Sequence, residues 1–232
     1  SYDHATNTFT SHPPMNAGRW YPTTTALANG DTLVISGSIT PSVNNTLPQV
    51  FEAKTETWRS LTGATRSVPL FPMMFLAPDG RVFNIGPNQD ARFLDTAGTG
   101  SWSAPITSSL ERNYGAPVMY DAGKVAVIGG GYITSTVAKI DLAAATPTWS
   151  FAAPTAFPRR QHNAVILADG NVLVTGGSKT PTFNDAAGAI FAAEIWNPLA
   201  DTWEMGAAAD VAREFRVRAH ETWDCVNVRR MC

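Results

Sequence analysis

A turn dipeptide flanked by apolar runs recurs along the chain at Asn29-Gly30, Asp79-Gly80, Ala122-Gly123 and Asp169-Gly170, with the glycines 50, 43 and 47 residues apart. Asn-Gly or Asp-Gly in that setting is the strongest short-range hairpin signal, because glycine adopts the positive φ that the turn needs. Each copy predicts strands one and two of a unit. The second strand then ends in small residues, Ser36-Gly37, Gly129-Gly130 and Gly176-Gly177, with Gly86-Pro87 as the variant in unit two. Small residues there let backbones approach closely at a crowded centre. Further along, Thr57-Trp58, Ser101-Trp102, Thr148-Trp149 and Thr202-Trp203 mark strands three and four. The tryptophans are read as packing between units rather than as ligand platforms.

A period of about 40 to 50 residues with four strands per unit is the signature of propeller blades. The expected fold is all-β: a kelch-type β-propeller with about four consecutive four-stranded blades plus partial blades, and therefore an incomplete propeller. The blades are expected over residues 19–61, 69–105, 112–153 and 159–205, with 1–15 as the end of a preceding blade. The propeller portion runs over 1–213. Residues 214–232 form an atypical C-terminal tail that is basic, has no hairpin dipeptide and holds both cysteines, Cys225 and Cys232.

Other features exclude whole classes of function. Seventeen Lys and Arg against nineteen Asp and Glu leave a net charge of −2, which offers no footprint for nucleic acid and no polybasic membrane patch. No apolar run reaches the length that spans a bilayer. There is no G-x-S-x-G, P-loop or dinucleotide glycine pattern. His4, His12 and His220 have no ligand-like spacing among themselves, so zinc is not expected. Scarce lysine beside abundant Thr, Ser, Gly and Pro suits a secreted or extracellular protein.

Arg19-Trp20-Tyr21-Pro22 before the first hairpin, Arg112-Asn113-Tyr114-Gly115 before the third, and Arg160-Gln161-His162-Asn163 with Val172-Leu173-Val174-Thr175-Gly176-Gly177 in the fourth carry a resemblance. On these residues the chain resembles the galactose oxidase/glyoxal oxidase family of copper radical oxidases and their kelch-type relatives. The resemblance implies oxidation of primary alcohols or aldehydes by dioxygen with release of hydrogen peroxide. It implies copper as cofactor in the intact protein, with Tyr21 as the catalytic, copper-binding and radical-bearing tyrosine. Such chemistry needs a second one-electron store beside the metal. The family also joins that tyrosine to a cysteine one blade earlier and adds a Tyr-His pair and a C-terminal histidine as ligands. The cysteine would lie upstream of residue 1, the C-terminal domain that carries the histidine is missing, and Glu214-Phe215-Arg216 stand where Tyr-His is expected. This chain alone is therefore expected to bind no copper and to be inactive.

Arg19 is a candidate substrate contact, or else a clamp on backbone carbonyls. Tyr114 matches Tyr21 in position after an arginine, and His162 is read as structural. The partners implied are a small alcohol, aldehyde or carbohydrate, with no nucleic acid and no membrane. The alternative is a non-catalytic propeller that binds a glycan or protein through loops such as Ile39 to Pro48 and Lys179 to Gly188.

Overall fold

A computed structural model describes residues 1–108, 110–183 and 185–211; the tail expected over 214–232 lies outside them. The chain is all-β, with four successive antiparallel sheets, each laid out in sequence order. Blade one comprises Thr23–Ala26, Thr32–Ile35, Gln49–Glu52 and Thr57–Ser60. Blade two comprises Met73–Leu76, Val82–Gly86, Asp90–Asp95 and Ser101–Trp102, with Ile106–Thr107 added beside Asp90–Asp95. Blade three comprises Ala116–Asp121, Lys124–Ile128, Val137–Asp141 and Trp149–Ala152, and blade four Arg160–Ile166, Val172–Ser178, Ala192–Asn197 and Thr202–Ala208. Tyr2–Asp3 pairs with Thr8–Phe9 ahead of them.

The period-2 alternation of a strand sends successive side chains to opposite faces, and both faces here are apolar. Val82 and Leu94 of blade two join Leu33, Ile35 and Val50 of blade one in one core. The alternate residues Phe83, Ile85 and Phe93 join Val125, Val127 and Ile140 of blade three in a second. Ala126 and Ile128 then meet Val172, Val174 and Trp196 of blade four in a third. The cores therefore lie between blades and not within them.

The outer-strand tryptophans stitch these junctions, as expected of inter-blade packing. Trp102 Nε1 donates to Ala64 O at 2.8 Å, Trp149 Nε1 to Ile106 O at 3.1 Å and Trp203 Nε1 to Ala153 O at 2.8 Å. In each case the indole reaches back to the exit of the preceding blade. Three of the hairpins close on three-residue loops, with Leu27, Ala77 and Leu167 N–H bonded to the carbonyls of Asp31, Arg81 and Asn171 at 2.8 Å. The last loop residue, Gly30, Gly80 or Gly170, has φ between 83° and 88°, the left-handed region that glycine enters without steric cost.

An arginine forks across the hairpin at the opening of three blades. Arg19, Arg112 and Arg159 donate Nη1 to Ser36 O at 2.8 Å, Gly129 O at 3.0 Å and Gly176 O at 3.0 Å, each 17 residues on. A second bond reaches toward strand three, to Leu47 O at 2.6 Å, Thr136 O at 3.0 Å and Ala192 O at 3.2 Å. Arg159 also pairs with Glu194, and both side chains are fully buried. Glu194 Oε1 in turn accepts the Ala156 N–H at 2.5 Å. Close approach at this crowded end is absolute at Gly129, where a Cβ would sit 2.3 Å from Arg159 O.

Removing one partner from the buried pair strands the other charge, a loss of about 3 to 5 kcal/mol. Glu194→Ala is expected to lower the unfolding free energy by about that much, while the double replacement Arg159→Met with Glu194→Met removes the stranded charge but recovers only part of the loss, because Gly176 O, Ala192 O and the Ala156 N–H then lack their partners. Urea unfolding of the three variants measures both.

Candidate functional site

First strands of blades one and two touch, as do those of blades three and four, so the blade openings converge on one mouth. Four residues there stand in equivalent positions with a left-handed backbone: Tyr21 (φ 58°), Phe71 (50°), Tyr114 (61°) and Gln161 (59°). For side chains of this size that conformation costs about 1 to 2 kcal/mol each and persists only where its surroundings impose it. The constraint is visible. Phe71 N–H donates to Tyr21 O, and Gln161 N–H to Tyr114 O, both at 2.8 Å, which ties one opening to the next. Ser36 Oγ lies 3.0 Å from Val68 O and 2.8 Å from Pro69 O, where blade two has no arginine of its own.

Tyr21 is half-buried, with its ring edge-on against Trp20 at 4.0 Å between centroids. Burial, and then the charge of a Tyr114 phenolate, push its phenol above the ordinary tyrosine value. Two phenols from blades one and three thus lie close enough to sense one another. Tyr114 is 42 % exposed, and its ring carries the Arg160 guanidinium at 4.4 Å.

Arg19 is engaged by backbone and by Asn16 Oδ1 at 3.1 Å. Burial pulls its pKa down to about 10, which leaves it charged at neutral pH. His162 is set into the blade, 6 % exposed, with its ring against the site of Gly129. Burial, and then the charge of Arg159, lower its pKa to about 3. The structure therefore brings Tyr21 and Tyr114 to one mouth, holds Arg19 against backbone, and keeps His162 neutral inside.

The arginine register was not evident from the sequence. Arg159, not its neighbour Arg160, matches Arg19 and Arg112, and this shift aligns Gln161 with the tyrosines. The doubled arginine was the available signal. Among the described residues no group of three or more His, Cys, Asp or Glu could hold a metal ion. Only Tyr21 among them matches a copper ligand by resemblance, so these residues do not fit copper on their own.

No family model matches the chain. Two curated relatives, both galactose oxidase from Gibberella zeae, are 25 % identical over 231 residues, covering 87 % of this chain and 34 % of their own length. The chain thus spans about a third of the curated relatives it matches. A solved fungal alcohol oxidase of the AA5 family, in complex with copper, superposes with a TM-score of 0.75 at 24 % identity over 86 % of this chain and 46 % of its own. YjhT superposes with a TM-score of 0.61 at 16 % identity over 85 % of this chain and 73 % of its own. The sequence match and the shared fold bear out the resemblance to galactose oxidase and the AA5 copper radical oxidases.

Two titrations test this geometry. In ultraviolet titration Tyr21, identified by its loss in Tyr21→Phe, should ionise above the ordinary tyrosine range. Tyr114→Phe should lower that value without restoring it fully, since burial is the larger cause. His162 stays neutral in the folded chain, while the unfolded chain takes up its proton below the ordinary 6.5. Stability should therefore fall as pH drops from 6.5 toward 3, by about 1.4 kcal/mol per unit from this group. His162→Gln should flatten that slope in urea unfolding at stepped pH.

Proposed function

We propose that this chain, similar to galactose oxidase over about a third of that enzyme's length, is the propeller portion of a secreted copper radical oxidase. The whole protein would oxidise primary alcohols or aldehydes with dioxygen, two electrons and two protons passing to dioxygen to give hydrogen peroxide. The observation that supports this best is the placement of Tyr21. Its Arg-Trp-Tyr-Pro segment opens a blade, its backbone is held left-handed at the mouth, and its phenol stands beside Trp20 and within electrostatic reach of Tyr114.

Tyr21 would be the copper-binding phenol only in the intact protein, since the described residues supply no set that fits the metal. This chain alone is proposed to be inactive. What its own residues do is narrower. They hold one phenol at a fixed place, cover it with an indole, and keep the arginine beneath it on backbone carbonyls.

Copper titration of the purified chain, read by visible absorption and by peroxide release with a panel of alcohols and aldehydes, should show neither one-equivalent binding nor peroxide. The longer protein that carries this sequence should release peroxide with copper and lose that activity in Tyr21→Phe. One equivalent of tight copper in the chain itself would instead place a full donor set within it. Absence of peroxide from the copper-loaded longer protein would favour a binding propeller. The exposed hairpin of Ser38–Thr40 and Val43–Asn44, with Ile39 and Val43 at its surface, would then be the first place to seek a glycan or protein contact.

A further inference from the structure

The opening of blade four concentrates polar side chains that the fold itself does not satisfy. Arg160 is 9 % exposed, and its Nε has no hydrogen-bond partner among the described residues. Gln161 is 3 % exposed, and both its Oε1 and its Nε2 lack one. Leaving such groups buried and unpaired costs about 1 to 3 kcal/mol each, so they point to a missing partner. Arg159 Nε is likewise without a partner among the described residues, so the difference between the two lies in charge. Arg159 is neutralised by Glu194 and donates to Gly176 O and Ala192 O, whereas no carboxylate pairs with Arg160 among the described residues.

Aromatic rings wall the guanidinium. It lies 4.4 Å over the Tyr114 ring and 5.9 Å from the Phe183 ring, and those rings meet edge to face at 5.3 Å. Stacking uses the faces of the planar cation and leaves its N–H edge available, the arrangement that receives a carboxylate through two parallel bonds. Tyr114 and Phe183 are both partly open to solvent. Gln161 is tied to the same spot by its N–H bond to Tyr114 O at 2.8 Å.

We propose that Arg160 and Gln161, walled by Tyr114 and Phe183, form a carboxylate-binding subsite at the opening of blade four. The small alcohol or aldehyde taken at this mouth then bears a carboxylate. The substrate assignment rests on the oxidase function proposed above; carboxylate binding does not. Arg160 supplies the charge and the fork, and Gln161 adds an amide donor.

Calorimetric titration of the metal-free chain with glycolate, and with neutral glycolamide of the same shape, tests the subsite. Glycolate should bind saturably and glycolamide about tenfold more weakly or worse, the scale of one charge-assisted hydrogen bond. Arg160→Gln should reduce glycolate affinity by about tenfold or more and abolish the preference over glycolamide, whereas Arg160→Lys, which keeps the charge but loses the fork, should fall between. Circular dichroism and thermal unfolding establish that each variant is folded. If Arg160→Gln does not fold, the comparison of the two ligands on the unaltered chain still decides. Equal binding of both ligands, no saturable glycolate binding, or unchanged affinity in a folded Arg160→Gln variant overturns the subsite. Because the titration contains no copper, such a failure says nothing against the oxidase function, and a missing peroxide signal says nothing against the subsite.

Discussion

The sheets of blades two and three are apolar on both faces, and a sheet of that kind is stable only between two others. The demand follows from the strand period: Val82 and Phe83 are neighbours in sequence, yet one is buried against blade one and the other against blade three. Stacking blade on blade removes both faces from water at about 25 cal/mol per Å² of apolar surface, which no single blade could achieve. Twisted sheets stacked in this way converge at one edge. First strands of blades one and two, and of blades three and four, meet there, and the mouth with its aromatic and arginine side chains results from that convergence.

Crowding at the inner edge creates a second demand, for hydrogen-bond donors. Where strand two ends in small residues, the carbonyls of Ser36, Gly129 and Gly176 each accept an arginine Nη1. A guanidinium serves them because its donors are fixed in one plane and reach two acceptors at once. Once Arg19, Arg112 and Arg159 hold those carbonyls, the residue two positions later can be kept left-handed. Tyr21, Tyr114 and Gln161 are thus presented at the mouth by a structural device. The chemistry proposed for the site depends on a clamp that does no chemistry itself.

Much of this was legible in the sequence because it rests on local rules. Asn29-Gly30 and its counterparts mark turns that need a positive φ, and the tryptophans mark strand four, so repeat length and strand order follow. Tyr21 stood out for its motif. The rest depends on geometry that a linear pattern does not encode. Arg159 and Arg160 are adjacent and chemically identical, and only three-dimensional register makes one a clamp and leaves the other stacked on Tyr114. Glu194 sits in an otherwise apolar strand, Ala-Ala-Glu-Ile-Trp, and nothing local reveals that its partner is 35 residues upstream. Phe71 shares the position of Tyr21 without an arginine before it, because Ser36 of the previous blade takes over part of that task. Phe183 reaches the site from a loop, where no periodicity operates.

The constant interval between each clamp arginine and its first carbonyl, 17 residues in three blades, has a consequence for how such a chain could have grown. Donor and acceptor both lie within one hairpin, so a duplicated segment carries its own lock and needs no matching change elsewhere. In blades one and three the segment between strands two and three meets that lock through the backbone carbonyls Leu47 O and Thr136 O, which every residue possesses. Its length and side chains are therefore free to diverge between copies, and new recognition loops can accumulate on one rim while the inherited hairpin keeps the centre in register.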